Sequence, residues 1–149
     1  MLKFLGSIAA VAGAVLVSTA VTTQVHADDK SGLSFQDPYV KAPFPGQSVT
    51  TGYMSIENAS TTSRQLQTLS ADWANAIEIH THVHENGVMK MRRQDTLAVP
   101  AEGAVTLKPC GLHLMIFGVE APLTEPLPIT LCFDGDECMD VDFRLYSPM

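Results

Sequence analysis

The sequence predicts an all-β domain, either an antiparallel sandwich or a small Greek-key barrel, and two observations support this prediction. Short runs in which apolar and polar residues alternate recur along the chain, and a period of two is typical of half-buried strands. Nine prolines and ten glycines interrupt these runs as turn signals. Because no stretch keeps a helical period over three turns, we expect strands and turns only.

The alternating runs predict nine strands between short loops. Turn residues separate neighbouring runs closely enough for hairpins and Greek-key connections. In chain order, the expected strands are Leu33–Val40, Thr51–Glu57, Gln65–Leu69, Ile77–His84, Val88–Arg92, Val105–Lys108, Leu112–Phe117, Ile129–Phe133 and Met139–Tyr146.

Length and charge narrow the class of protein. A chain of 149 residues with 46% hydrophobic residues suits one domain with its own core. Nine Lys and Arg residues against sixteen Asp and Glu residues give a formal charge of −7. This balance provides no basic surface for phosphate backbones, so we expect no nucleic-acid partner.

The N-terminal segment resembles a secretory signal peptide. Lys3 precedes a run of apolar and small residues from Phe4 to Val25, and Ala27 supplies a small residue for cleavage. An uncleaved membrane anchor is the alternative, since the run approaches the ~20 residues that a bilayer requires. The Gly, Ser and Thr content favours cleavage, after which we expect no stable membrane insertion. The expected division is a signal peptide at 1–27, a flexible leader at 28–32 and a β domain at 33–149.

Export affects how the three cysteines are interpreted, because an oxidising compartment favours disulfides. Cys132 and Cys138 flank a turn-rich segment between two apolar runs, so they could pair across a hairpin. Cys110 would then be a free thiol, three residues before His113.

The strand Ile77–His84 has one apolar and one polar face, because successive side chains on a strand point in opposite directions. Its isoleucines and valine share the apolar face. The opposite face carries Glu78, His80, His82 and His84. Glu78 is expected to be a solvated charge.

A second strand, Leu112–Phe117, should turn His113 and Met115 outward together, away from its core-facing leucines. Residues two apart on a strand are about 6.5–7 Å apart, which allows both side chains to reach one ion. All four histidines that follow residue 27, and three of the six methionines there, lie between His80 and Met115. A lone outward His is usually a solvated surface residue and a lone Met usually fills the core, but this clustering indicates a metal site.

Imidazole combined with thioether indicates copper. Thioether sulfur suits Cu(I), whereas calcium and magnesium prefer oxygen and structural zinc prefers thiolate or imidazole. Methionine also suits an oxidising compartment, since it cannot be lost to a disulfide. A blue-copper electron-transfer site would require a cysteine ligand, for which the only nearby residue is Cys110.

The spacing of four of these residues resembles the signature of the periplasmic copper chaperone family PCuAC. Ten residues separate His80 from Met91, twenty-one separate Met91 from His113, and one separates His113 from Met115. Further segments resemble the family's early strand, central hairpin and ligand-bearing turn. These are Gly52–Asn58, Gly87–Arg92 and Leu107–Pro109, within a similarity that spans about Tyr39 to Tyr146.

The resemblance implies a single cupredoxin-like domain, a Greek-key sandwich or barrel, with a surface Cu(I) site formed by His80, Met91, His113 and Met115. It also implies a periplasmic carrier that delivers copper to the copper-site subunit of cytochrome c oxidase or to another copper chaperone. No catalytic motif stands out, so we expect a monomeric carrier and not an enzyme. A copper-sequestering protein and a structural β-sandwich with incidental histidines remain alternatives.

Cys110 departs from the family pattern, which usually has a glycine pair where this chain has Cys110-Gly111. Its sulfur could be a fifth copper donor, a redox-sensitive neighbour or a small apolar filler.

The register of the central hairpin has two alternatives. With Asn86-Gly87 as a two-residue turn, Met91 lies opposite His82 and diagonal to His80. With a four-residue loop at 84–87, Met91 lies opposite His80 and Met89 opposite His82. The resemblance assigns His80 as a ligand, which favours the four-residue loop. His82 is the best substitute ligand, and His84 is expected at the exposed hairpin tip.

Overall fold

The computed structural model describes residues 31–147, and these residues form ten strands and no helix. None of them therefore contributes a helix that could cross a membrane. The strands are β1 Leu33–Lys41, β2 Val49–Asn58, β3 Arg64–Ser70, β4 Ala76–Glu85, β5 Val88–Gln94, β6 Leu97–Val99, β7 Gly103–Leu107, β8 His113–Phe117, β9 Leu127–Phe133 and β10 Glu137–Tyr146. The predicted signal peptide lies outside the described residues.

The strands follow one hydrogen-bonded path, in the order β5-β4-β8-β2-β1-β10-β9-β3-β6, and β7 pairs with β2 beside β8. Nearly all neighbours are antiparallel. The exception is β1 with β10, which run parallel and bring Tyr39 opposite Arg144. This pair joins a layer that ends in β5 to a layer that ends in β6.

The two layers enclose one hydrophobic core. The rings of Phe35 on β1 and Phe133 on β9 meet with their centroids 6.4 Å apart, which links the layers directly. Apolar residues at alternate positions of both layers supply the rest, as sandwich packing requires. The largest fully buried side chains are Phe133, Phe143, Met54, Ile56, Leu66, Leu114, Ile116, Leu127, Ile129, Leu131, Val40 and Val99.

The all-β prediction is confirmed, and each of the nine predicted strands overlaps an observed one. The alternation did not indicate β6, because three residues are too few to display a period of two. No sequence pattern indicated that β1 and β10 would pair in parallel. Their pairing joins distant parts of the chain, which no local pattern encodes.

A two-residue turn joins β4 to β5. Glu85 pairs with Val88, and the residues between them, Asn86 and Gly87, have φ values of 52° and 79°. Positive φ at both central positions defines a type I′ turn, for which Asn-Gly is a preferred sequence. The four-residue loop favoured by the resemblance is therefore wrong.

Cys132 and Cys138, for which the sequence left pairing open, form a disulfide between opposite positions of β9 and β10. Arg64 on β3 braces the same hairpin, because its guanidinium contacts Asp134 at 3.1 Å and Glu137 at 2.6 Å. These carboxylates raise the pKa of Arg64. The disulfide and the ion pairs lie in the layer that contains β9, whereas the predicted metal ligands lie on β4, β5 and β8 of the other layer.

Candidate metal centre

The predicted ligands share the outer face of three neighbouring strands. β4 pairs with β5 on one side and with β8 on the other. Ile77 and Ile79 on the inner face of β4 are buried in the core, so the histidines of this strand lie on its outer face. Leu114 and Ile116 of β8 are buried in the same way, which leaves His113 on the outer face.

His80 lies at the centre of the predicted ligand set. His113 is directly opposite it on β8, and the centroids of their rings are 5.9 Å apart. Met91 lies opposite His82, and Met115 lies opposite Glu78, so each methionine is one diagonal step from His80. Diagonal neighbours are about 7–8 Å apart, which is within reach of long side chains.

His82 is even closer to His113. Their rings are stacked with centroids 5.1 Å apart, and Met91 is directly opposite His82 on β5. The cluster therefore contains three imidazoles. The spacing signature had assigned two of them as ligands and His82 as a substitute.

His113 is buried, with only 2% of its surface exposed, although the alternation predicted an outward residue at a surface site. It does lie on the outer face, but neighbouring side chains cover it, including the stacked ring of His82. Burial lowers the pKa of His113, and the nearby His82 and His80 lower it further, against a raising contribution from the Gly111 hydrogen bond. A lowered pKa favours the neutral imidazole, which is the form that binds metals.

The hydrogen bond of His113 determines which ring nitrogen is free. Its Nδ1 is 3.0 Å from the carbonyl oxygen of Gly111, which can only accept, so Nδ1 carries the proton. The lone pair therefore lies on Nε2. Metal-binding histidines commonly use their second nitrogen in this way.

Glu78 orients His80 in the same manner. Its Oε2 lies 2.8 Å from Nε2 of His80, and its Oε1 accepts a hydrogen bond from Arg93 at 2.9 Å. A carboxylate only accepts, so Nε2 of His80 carries the proton and Nδ1 holds the lone pair. The prediction that Glu78 is merely a solvated charge is wrong.

Two imidazole nitrogens in this cluster are buried and have no hydrogen-bond partner among residues 31–147. They are Nδ1 of His80 and Nδ1 of His82. A buried polar atom without a partner destabilises the fold unless a ligand satisfies it. Such unsatisfied nitrogens are suited to a metal ion.

Nitrogen and oxygen donors alone do not complete a site. Among residues 31–147, no three His, Cys, Asp or Glu side chains are grouped so that they could hold a metal ion together. The additional donors on this face are the thioethers of Met91 and Met115, which select soft ions.

Cys110 lies in the turn between β7 and β8, with a φ of 63° and an exposed side chain. The apolar-filler interpretation is therefore wrong. The turn is closed by hydrogen bonds from Lys108 to Leu112 at 2.7 Å and from Gly111 to Lys108 at 3.1 Å. It positions the Gly111 carbonyl that fixes His113.

Accessibility increases along this face toward the hairpin tip. His113 is buried, His80 and His82 are partly exposed, and Met91 is 43% exposed. His84 is exposed at the tip, as predicted. An ion could thus approach the buried imidazoles from the hairpin side.

Comparison with known proteins places the chain in a family. Residues 33–145 match the model of the family described as "Putative lipoprotein LpqE-like". The chain belongs to this family. It is also 25% identical over 123 residues to the "Putative lipoprotein Lxx21020" of Leifsonia xyli subsp. xyli, a match covering 80% of this chain and 73% of that protein.

Solved PCuAC domains share the fold, which confirms the resemblance and the cupredoxin-like sandwich. The solution structure of apo-DR1885 from Deinococcus radiodurans is 25% identical, covers 96% of this chain and 97% of its own, and has a TM-score of 0.63. The Cu(I)-DR1885 structure is 27% identical, with coverages of 74% and 75% and a TM-score of 0.61. The copper-bound PCuAC domain from PmoF2 is 18% identical, with coverages of 78% and 94% and a TM-score of 0.64, and supports the fold alone.

Sequence reasoning missed the parts played by Glu78, Arg93 and Gly111. A carboxylate two residues from a candidate histidine on the same strand face was the available signal for Glu78. The contact of Arg93 depends on the hairpin register. The Gly111 carbonyl belongs to the backbone and leaves no trace in residue type.

Proposed function

We propose that this protein is a periplasmic copper chaperone that binds Cu(I) through His80, Met91, His113 and Met115 and transfers the ion to an acceptor protein. The arrangement around His80 is the observation that carries the proposal. His113 lies opposite it, and Met91 and Met115 each lie one diagonal step away on the two flanking strands. Its own Nδ1 is buried and has no hydrogen-bond partner within the described part of the chain. The likeness to Cu(I)-DR1885 supports the same cargo.

Each residue has a distinct part in holding the cargo. Glu78 and Gly111 fix the tautomers so that Nδ1 of His80 and Nε2 of His113 present lone pairs. The thioethers supply soft donors that need no deprotonation and so remain available in an oxidising compartment. Transfer proceeds by ligand exchange, in which donors of the acceptor replace those of the chaperone one at a time.

The acceptor and the compartment belong to the same proposal. The lipoprotein descriptions of the relatives support export. The proposed compartment is the periplasm, and the proposed state is a monomer. The acceptor is a copper-site subunit of cytochrome c oxidase or another copper chaperone. The protein acts as a carrier and not as a catalyst.

Anaerobic competition titration with a Cu(I) chelator tests the ligand set. His80→Gln, His113→Gln, Met91→Leu and Met115→Leu should each weaken binding by more than about 10-fold, since loss of a mere supporting contact already costs that much. Met139→Leu on β10 is the matched control, because it removes a thioether from the other layer. Full affinity in both the His113 and the Met115 variants would overturn the proposal.

X-ray absorption of the Cu(I)-loaded protein counts the donors directly. The proposed site contains two sulfur and two nitrogen donors. A third sulfur that disappears in Cys110→Ser would add Cys110 to the ligands. If His82→Gln lost Cu(I) affinity and His80→Gln retained it, His82 would replace His80 as the ligand.

A transfer assay distinguishes delivery of copper from its sequestration. Loaded protein is mixed with an apo copper-domain fragment of cytochrome c oxidase, and the copper content of each is measured after separation. Copper should move to the fragment. Retention of all copper by the loaded protein would indicate a buffering function.

A further inference from the structure

We propose that His84 and Met89 form a second, outer Cu(I) site at the tip of the β4–β5 hairpin, through which the ion enters and leaves the inner site. This inference rests on the proposed function of the inner site. It differs from the proposed function because it assigns two further donor residues and a path by which the ion reaches the inner site. The ligand is a monovalent soft ion, either Cu(I) or its analogue Ag(I).

The hairpin register brings these two residues together. His84 lies directly opposite Met89, and two positions further along His82 lies directly opposite Met91. In a two-residue hairpin the pair flanking the turn is hydrogen-bonded, so the next pair, His84 with Met89, is not. Non-hydrogen-bonded pairs have Cα atoms about 4.5 Å apart and the closest side chains. His84 and His82 therefore each have a methionine beside them on the same face.

The opposite face of the hairpin has a different chemistry. There Glu85 pairs with Lys90 and Arg92 at 2.9 Å, and this pairing lowers the pKa of Glu85. The carboxylate is thus occupied by cations on its own face. At the hairpin tip the outer face therefore presents the imidazole of His84 and the thioether of Met89, which prefer a soft ion to a hard one.

The exposure of the pair suits an entry point. His84 is exposed and Met89 is 48% exposed, whereas His113 in the inner cluster is 2% exposed. A solvated thioether on a strand contributes little to the core. An acceptor can therefore reach His84 and Met89 without any unfolding of the domain.

The transfer step changes ligands only. Cu(I) bound by the imidazole of His84 and the thioether of Met89 gains a bond to Met91 or His82 as it loses one of the outer bonds. The metal stays monovalent, no electron is exchanged, and the ion binds through lone pairs of imidazole nitrogen and thioether sulfur, so no covalent bond is formed or broken. Successive pairs are about 6.5–7 Å apart, a span that long side chains can bridge.

Titration of the full domain with Ag(I), followed by the methyl NMR signals of the methionines, tests the proposal. The first equivalent should shift Met91 and Met115, and a second, weaker equivalent should shift Met89. The variant His84→Gln with Met89→Leu should lose the second equivalent and keep the first. It should also release Cu(I) from the inner site to a chelator several-fold more slowly.

Lys90→Ala is the matched control, since Lys90 is exposed on the other face of the same strand. Met89→Leu alone keeps the apolar volume and removes only the sulfur, so a fold defect is not confused with loss of a donor. An unshifted Met89 signal in the wild type, with Met91 and Met115 shifted, would overturn the outer site alone. Unshifted Met91 and Met115 would instead overturn the inner site.

Discussion

At the scale of single residues, the Glu78 carboxylate links the guanidinium of Arg93 on β5 to the imidazole of His80 on β4. It contacts Nε2 of His80 at 2.8 Å and Arg93 at 2.9 Å, so Arg93 holds the carboxylate while the carboxylate holds the imidazole. Partners of this kind orient a metal-binding ring and raise its basicity. Glu78 is thus a positioning residue.

Replacement of Glu78 should weaken copper binding without removal of a ligand. Glu78→Ala should reduce Cu(I) affinity by about 10-fold, because the ring of His80 loses its fixed orientation. Glu78→Gln keeps an oxygen acceptor and should recover part of the loss. Chelator competition measures both, and nitrogen NMR of His80 should show a changed tautomer in the alanine variant only. Wild-type affinity in Glu78→Ala would contradict this role.

The lowered pKa of His113 makes stability depend on pH in one direction. Its usual value near 6.5 applies to the unfolded chain, and burial lowers it in the folded protein. As the pH falls below about 6.5, the unfolded chain gains a proton that folded His113 resists, so the free energy of unfolding decreases. The slope due to this residue is at most about 1.4 kcal/mol per pH unit.

Urea denaturation of the apo protein between about pH 8 and about pH 5 measures this slope. His113→Gln removes the titrating group, so its stability should depend less steeply on pH. His84→Gln is the control, because it removes an imidazole from the exposed hairpin tip instead of the buried cluster. Equal slopes in the wild type and in His113→Gln would show that other groups cause the dependence.

Strand alternation correctly placed the outer-face residues but not their surroundings. His80, His113 and Met115 all lie on the face that the period of two assigned to them. The burial of His113 was not predictable, because the ring that stacks on it comes from another strand and requires the register. The same holds for the unpartnered nitrogens of His80 and His82.

At the scale of elements, the β4–β5 hairpin determines which donors meet. The Asn86-Gly87 turn sets the register, and a slip by one residue would move each methionine to the opposite face. The sequence contained the Asn-Gly signal for this turn. The spacing signature alone favoured the longer loop, since it records distances along the chain and not pairing across it.

Gly87→Ala tests the importance of the turn. Gly87 has a φ of 79° and nothing within 4 Å of an added Cβ, so the expected cost is conformational, about 1 kcal/mol. Gly46→Ala is the control, since Gly46 has a φ of 78° and equally open surroundings in a different loop. Both variants should lose similar stability in urea denaturation. Only Gly87→Ala should also weaken Cu(I) binding, and unchanged binding would contradict the dependence on the hairpin.

At the scale of the whole molecule, the two layers carry different structural features. One layer carries the proposed copper ligands on its outer face, and the other carries the disulfide and the Arg64 ion pairs. Both contribute to a single core. The two-sheet architecture could be predicted from strand count and spacing, whereas the strand order needed contacts between residues far apart in the chain.

Leu131→Ala should separate stability from binding. Leu131 on β9 is fully buried, so its truncation leaves a cavity in the core and should reduce the free energy of unfolding by about 2–5 kcal/mol. Copper affinity should be unchanged below the unfolding transition, because the donors lie on the outer face of the other layer. A matched exposed substitution, Thr68→Ala, should leave stability within about 0.5 kcal/mol. Loss of affinity in folded Leu131→Ala would show that the layers are coupled.

The parallel contact of β1 with β10 sets an order of events during biosynthesis. Tyr39 meets Arg144, a partner that the ribosome adds roughly 100 residues later. β1 consequently lacks one of its two neighbouring strands until β10 has been synthesised. The sheet of this domain can therefore be completed only after β10 has emerged from the ribosome.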